Sequence, residues 1–299
     1  MAIKQVRAQI NGTWYTLTLS GTNTYTATIT APGSTSYTKT GGYYDVTVEA
    51  TNTAGTVTTQ NASGLSSLKL VVKEKVAPVI TILSPTSGAY VINNKQPVSF
   101  TVTDEAGGSG VNIGSLVVKQ DSTTVAASTI TSTAITNGYS VTYTPASALS
   151  DGSHTVTITV SDNDGNAATA KSTTYKVDTV PPTLNISAPA NDLVTNAASL
   201  VVRGTTNDAS SSPVTIKITL KGTDQGTVTV GSDGAFSKTL TLAEGSNTIV
   251  ITATDSAGKS SSVTRTVTLD TSLPVIKSAT ITPNPVDAGA SMVISVVVE

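Results

Sequence analysis

The chain has 299 residues, of which 38% are apolar, 4% aromatic and 12% charged, with a formal net charge of −2 and no cysteine. Scattered Lys and Arg form no basic stripe for a phosphate backbone, so nucleic-acid binding is not expected. Disulfides and cysteine-ligated metals are excluded, and no apolar run is long enough to insert into a membrane. Thr, Ser, Val and Ala fill the sequence, and Gly, Pro, Asn and Asp punctuate it every few residues. That pattern predicts an all-β chain of many short strands joined by tight turns. No charged-then-apolar leader follows Met1, so no signal peptide is read here. The chain is then made without the general secretion route, or is a mature or trimmed form.

The first stretch opens directly with a strand, IKQVRAQI, followed by the turn Asn11-Gly12 and the segments TWYTLTL and TYTATIT. Two further strands are expected at residues 44–51 and 67–73. Six aromatic residues, Trp14, Tyr15, Tyr25, Tyr37, Tyr43 and Tyr44, crowd this region. Alternation places Tyr15, Leu17 and Leu19 on one face and Trp14, Thr16 and Thr18 on the other. Tyr44 falls in phase with Val46 and Val48 and is expected in the core. Trp14 and Tyr43 are left as candidates for an exposed protein interface or a seat for a host surface glycan, against ordinary core packing.

Two longer units follow. Residues 149–165 (LSDGSHTVTITVSDNDG) align without a gap to residues 242–258 (LAEGSNTIVITATDSAG), and residues 42–55 carry a weaker copy. Each copy is a turn, a strand of period two and a tight turn into another strand. After that last strand comes an acidic residue and a proline hinge: Glu74 to Pro78, Asp178 to Pro182 and Asp270 to Pro274. Proline fixes the backbone and removes a ladder donor, so these hinges are read as boundaries. The predicted units are residues 1–75, 76–179 and 180–271, with a two-strand tail at 272–299.

This pattern resembles the bacterial immunoglobulin-like repeats of surface adhesins, secreted enzymes and tailed-phage virion proteins. The resemblance implies tandem immunoglobulin-like β-sandwiches in an elongated rod. With strands lettered as in a seven-stranded sandwich, the second unit reads A (78–83), B (98–104), C (115–119), a short strand near 123–127, E (139–143), F (155–161) and G (167–177). The third reads A (183–187), B (199–204), C (214–220), a short strand at 226–230, E (235–240), F (248–254) and G (261–269).

By the same lettering the first unit holds C through G and lacks A and B, whereas the tail holds A (276–281) and B (292–298) and lacks the rest. The two ends add up to one domain. One expectation is therefore head-to-tail self-association, with Ile276, Ile281, Met292, Ile294, Val296 and Val298 as apolar plugs in the next copy. The other is that the first unit is a smaller sandwich and the tail packs on its own chain or is cut from a longer one.

Catalysis finds no support. The single histidine, His154, occupies the repeat position held by Tyr44 and Asn247, which indicates a structural or exposed slot. No nucleophile elbow or dinucleotide loop is present. A structural calcium ion is the one cofactor considered. Loop geometry brings Asp104, Glu105, Asp162 and Asp164 near Glu74 at the first hinge, a set of hard oxygen donors. The alternative is that these Asp residues cap their own turns.

The expected function is a non-enzymatic structural protein. The readings are a virion surface or tail-associated protein joined by strand complementation, a subunit of an extracellular filament, or an adhesive or spacer segment of a bacterial surface protein. The expected partners are further copies of itself and other virion or surface proteins, and the expected location is the virion or the extracellular or cell surface.

Overall fold

A computed structural model describes residues 2–299. No α-helix occurs among the described residues, and the chain divides into two compact units, Met1–Asp178 and Thr179–Glu299. The first unit contains both the opening segment and a complete sandwich.

The opening segment forms one sheet from β1 (Ile3–Ile10), β2 (Thr13–Gly21), β3 (Thr24–Thr26), β4 (Tyr44–Asn52), β5 (Val57–Gln60) and β6 (Lys69–Leu70). Its order is β3-β2-β1-β4-β5, with β6 continuing the edge of β4. Asn11 and Gly12 take φ of 47° and 81°, the paired positive values that a two-residue hairpin turn requires. Register puts Val6 opposite Leu17 and Ala50, and Ala8 opposite Tyr15 and Val48. These residues share one face. Arg7, Gln9, Trp14, Thr16, Thr47 and Glu49 share the other.

Two expectations for this segment change. Of TYTATIT, only Thr24–Thr26 is a strand, and it pairs with β2. The chain then leaves the strand path through Pro32, which has no N–H to donate. Ser36 N and Thr35 Oγ1 are tied to the Val72 carbonyl at 2.8 and 3.3 Å. The closing strand is also split, with β5 and β6 flanking an excursion at residues 61–68. Asn61 Oδ1 accepts from Ser63 N, and Asp45 Oδ1 accepts from Ala62 N at 2.8 Å, which holds that loop in place. The strands of this sheet make no sizeable contact with strands of another sheet, and its apolar face, with Val6, Leu17, Val48 and Ala50, is half-buried.

The second segment is a full sandwich. It is built from β7 (Val79–Ser84), β8 (Tyr90–Val91), β9 (Val98–Thr103), β10 (Val111–Gln120), β11 (Thr123–Thr124), β12 (Ile130–Ile135), β13 (Gly138–Tyr143), β14 (Gly152–Asp162) and β15 (Lys171–Val177). Sheets β12-β13-β9-β7 and β11-β10-β14-β15-β8 close on a core of Val98, Phe100, Val102, Val118, Val141, Val156, Ile158 and Tyr175. Along β9 and β14 alternate residues are buried, the pattern their sequence shows.

The second unit repeats this plan with β16 (Thr183–Ala188), β17 (Leu193–Thr195), β18 (Ser199–Asn207), β19 (Thr215–Leu220), β20 (Thr223–Asp224), β21 (Ala235–Thr241), β22 (Gly245–Thr254) and β23 (Ser260–Leu269). Its sheets are β16-β18-β21 and β17-β23-β22-β19-β20, packed around Val202, Ile218, Leu240, Ile249, Ile251 and Val267.

The chain ends in a separate two-stranded sheet, β24 (Ile276–Thr282) and β25 (Val293–Val298). Its register pairs Ile276 with Val298, Ala279 with Val296 and Ile281 with Ile294, with an irregularity between Ile276 and Ser278. One face of the hairpin is therefore wholly apolar. The other carries Ser278, Thr280, Thr282, Val293, Ser295 and Val297.

Candidate functional site

Two loops of the first unit meet at the first hinge. The loop after β9 (residues 104–110) and the loop after β14 (residues 162–166) both reach residues 73–74, and a ladder of polar contacts joins them. Asp164 Oδ2 accepts from Thr35 Oγ1 at 2.5 Å and from Glu74 N at 3.0 Å. Asn166 Nδ2 donates to the Glu74 carbonyl at 3.2 Å, and Lys73 Nζ to the Asp164 carbonyl at 3.1 Å. Asn163 Nδ2 donates to the carbonyls of Ser109 and Gly110, each at 2.9 Å.

Within this frame the carboxylates of Glu74, Asp104 and Glu105 each bring an oxygen within 4.8 Å of the others. Glu74 Oε1 accepts from Ser109 N in a short contact, and Asp104 Oδ2 accepts from Gly110 N at 2.7 Å. Their other oxygens, Glu74 Oε2 and Asp104 Oδ1, are buried without a hydrogen-bond partner. The neighbouring Glu74 carboxyl, with burial second, pushes Glu105 up to about 7. Burial opposes ionisation of Glu74, but the contacts with Glu105 and with the Ser109 hydroxyl and amide leave its pKa lowered.

Two of the five sequence candidates stand outside this trio. Asp162 Oδ1 accepts from Gly165 N and Asn166 N at 2.6 and 2.8 Å, and its Oδ2 accepts from Asn166 Nδ2 at 2.7 Å. It caps its own turn. Asp164 is taken up by Thr35 and Glu74 N, so it ties the opening segment to the sandwich. Period-two reading cannot separate a capping Asp from a free one, because both sit in the same kind of turn.

His154 is a structural residue. Its Nδ1 lies 2.6 Å from Asp121 Oδ2 and its Nε2 lies 2.8 Å from the Ser150 carbonyl. Both partners are acceptors, so both ring nitrogens donate and the imidazole carries its proton. Burial works against that charge, while the Asp121 and Ser150 bonds outweigh it and raise the pKa. Asn247 fills the same slot in the second unit, donating to the Ala243 and Gly245 carbonyls at 2.7 and 2.8 Å.

The apolar candidates divide by face. Ile276, Ile281, Ile294, Val296 and Val298 all stand on the apolar face of the hairpin, with Ile276 65% and Ile294 60% exposed. Met292, 50% exposed, precedes β25. On the opening sheet, Ile3, Val6, Leu17, Tyr25, Val48 and Ala50 line a depression of about 570 Å³. Trp14 lies on the opposite, polar face, where the Arg7 guanidinium stacks 4.1 Å from its ring centre and also pairs with Glu49. Tyr43 is half-buried, with Lys69 Nζ 4.9 Å from its ring. These two aromatics do not line the depression.

Comparison with known families matches residues 88–179 to the bacterial Ig-like domain. This segment is a bacterial Ig-like module. Residues 182–271 match glucodextranase domain B. A comparison with curated proteins gives no match. Among solved structures, the chain is similar to the fibronectin(III)-like modules of Clostridium thermocellum CbhA, at 15% identity over 64% of this chain and 94% of that one, with a TM-score of 0.41. Titin domains A168-A170 match at 13% identity over 76% and 74%, with a TM-score of 0.42. Immunoglobulin domains 1-5 of Sidekick-1 match at 12% identity over 92% and 56%, with a TM-score of 0.38. The chain is all-β, and two of its segments are tandem Ig-like sandwiches. No helix among the described residues is long and apolar enough to cross a membrane.

Proposed function

We propose that the chain is a non-enzymatic structural protein of a virion surface or tail that assembles head to tail. In this reading the apolar face of the β24–β25 hairpin of one copy covers the open apolar face of β1, β2 and β4 in the next. The observation that carries it is a pair of apolar faces that lack a partner sheet: the hairpin's is exposed, and the opening sheet's is half-buried around an open depression. In each intact Ig-like module a strand after the hinge pairs antiparallel with the next long strand, as β7 does with β9 and β16 with β18. The hairpin is the same pair, following the same kind of proline hinge, without a sheet to cover. The opening sheet has the converse lack. Joining the two removes both apolar faces from water and meets the hazard of an open sheet.

Because the two faces differ, the contact is heterologous and builds chains or rings. Cysteine-free modules fold without any redox requirement, which suits a particle assembled inside a cell and released outside it. An extracellular filament uses the same joint. An adhesive or spacer segment of a bacterial surface protein uses the modules without it.

Light scattering after gel filtration tests the joint. The wild-type chain is expected to grow in mass with concentration, whereas Ile281→Asp with Ile294→Asp on the hairpin, or Leu17→Asp on the sheet, gives monomers with unchanged circular dichroism. Mixing the two kinds of variant restores a single joint and yields a dimer. A wild-type chain that stays monomeric at every concentration overturns the reading. Mass spectrometry of purified particles separates the virion assignment from a free filament.

A further inference from the structure

We propose that Glu74, Asp104 and Glu105 form a calcium site that fastens the first hinge to the loop following β9. Three carboxylates with mutual oxygen distances within 4.8 Å repel one another when all are ionised, unless a cation lies between them. Bulk solvent does not reach the deepest oxygen. Asp104 is only 7% exposed, and its Oδ1 has no hydrogen-bond partner. Glu74 Oε2 is equally without one. A buried carboxylate oxygen left unpaired is costly, and a coordinated cation satisfies it. The two orphaned oxygens belong to the hinge and to the loop, so one ion would hold both.

The donor set selects the ion. All three ligands are carboxylates, with neither imidazole nor thiolate among them, which suits a hard cation over zinc or copper. The ligands come from an irregular loop and a hinge, a flexible frame that suits calcium better than the strict octahedron of magnesium. Space is also kept open. A methyl group at Gly108 would fall 2.8 Å from Glu74 Oε2 and 2.8 Å from Glu105 Oε1. The surrounding bonds position the cage independently of any ion, since Ser109 N holds Glu74 Oε1 and Gly110 N holds Asp104 Oδ2.

The proposal is independent of head-to-tail assembly, because every residue in it lies within the first unit. The test is calcium titration of the full chain by calorimetry, beside Asp104→Asn and Glu105→Gln. Each variant preserves side-chain shape, and Asp104→Asn keeps an acceptor for Gly110 N. The wild type is expected to bind one more calcium ion than either variant, or to bind it about tenfold or more tightly. Hydrogen exchange supplies the local readout. Calcium slows exchange of amides 104–110 in the wild type and leaves it unchanged in Asp104→Asn. Identical isotherms for wild type and variants overturn the site, as does exchange in that loop that ignores calcium. Equal protection by magnesium at the same concentration overturns the assignment to calcium.

Discussion

His154 and Asn247 show how one position is filled by two chemistries. Both bond the carbonyl four residues earlier, Ser150 and Ala243, and so fix the turn that starts β14 and β22. Only His154 adds an ion pair, to Asp121. Its pKa is raised, so its contribution is complete below the unfolded value of about 6.5 and is lost as pH rises through the folded value. Burial of Asp121 opposes its charge, but the His154 and Thr155 bonds prevail and lower its pKa. Its contribution is complete above about 3.9 and is lost as pH falls through the folded value. The pair therefore stabilises most between roughly pH 4 and 6.5. Urea denaturation of His154→Asn is expected to show a loss of about 1–3 kcal/mol near pH 5.5 and a smaller loss near pH 9. Equal losses at both values would remove the charged pair from the account.

At the scale of the element, period-two alternation made most strands legible. β9, β13, β14, β21, β22 and β23 lie within a few residues of their predicted bounds because one side of each faces a core. What escaped had no such imprint. β12 is almost wholly exposed, so nothing forces its sequence to alternate. β8 and β17 are two and three residues long, too short to show a period. The acidic site was legible as a group of oxygens, whereas its division into capping and unpaired carboxylates depends on loop hydrogen bonds that no spacing encodes. Sheet pairing also explains a glycine. At Gly204 in β18 a Cβ would meet the Asn185 carbonyl and fall 2.7 Å from the Phe236 ring. Gly204→Ala is expected to cost about 1–3 kcal/mol through overpacking, read as a lower urea midpoint. An unchanged midpoint would mean that β16 and β21 can move apart freely.

At the scale of the molecule, each sandwich has its own buried core, whereas the hairpin and the opening sheet have no such core of buried residues; the proposed joint would give them one. Stability measured on the two ends should then depend on protein concentration, while that of the sandwiches should not.

The strand order within each sandwich also bears on how it meets a pull. β8 runs parallel to β15, and β17 runs parallel to β23. In each pair one strand lies near the start of the module and the other at its end. Tension applied through those two ends slides the strands past each other and loads the bonds between them together. In one module these bonds run from Gly88 N to Thr174 O, Lys176 N to Ala89 O and Asp178 N to Val91 O. In the other they run from Asp192 N to Thr266 O and Asp270 N to Thr195 O. Stretching single chains should give an abrupt rupture for each sandwich, and a smooth extension would contradict this. Such modules would yield in discrete steps, leaving a tether that lengthens under load before it breaks.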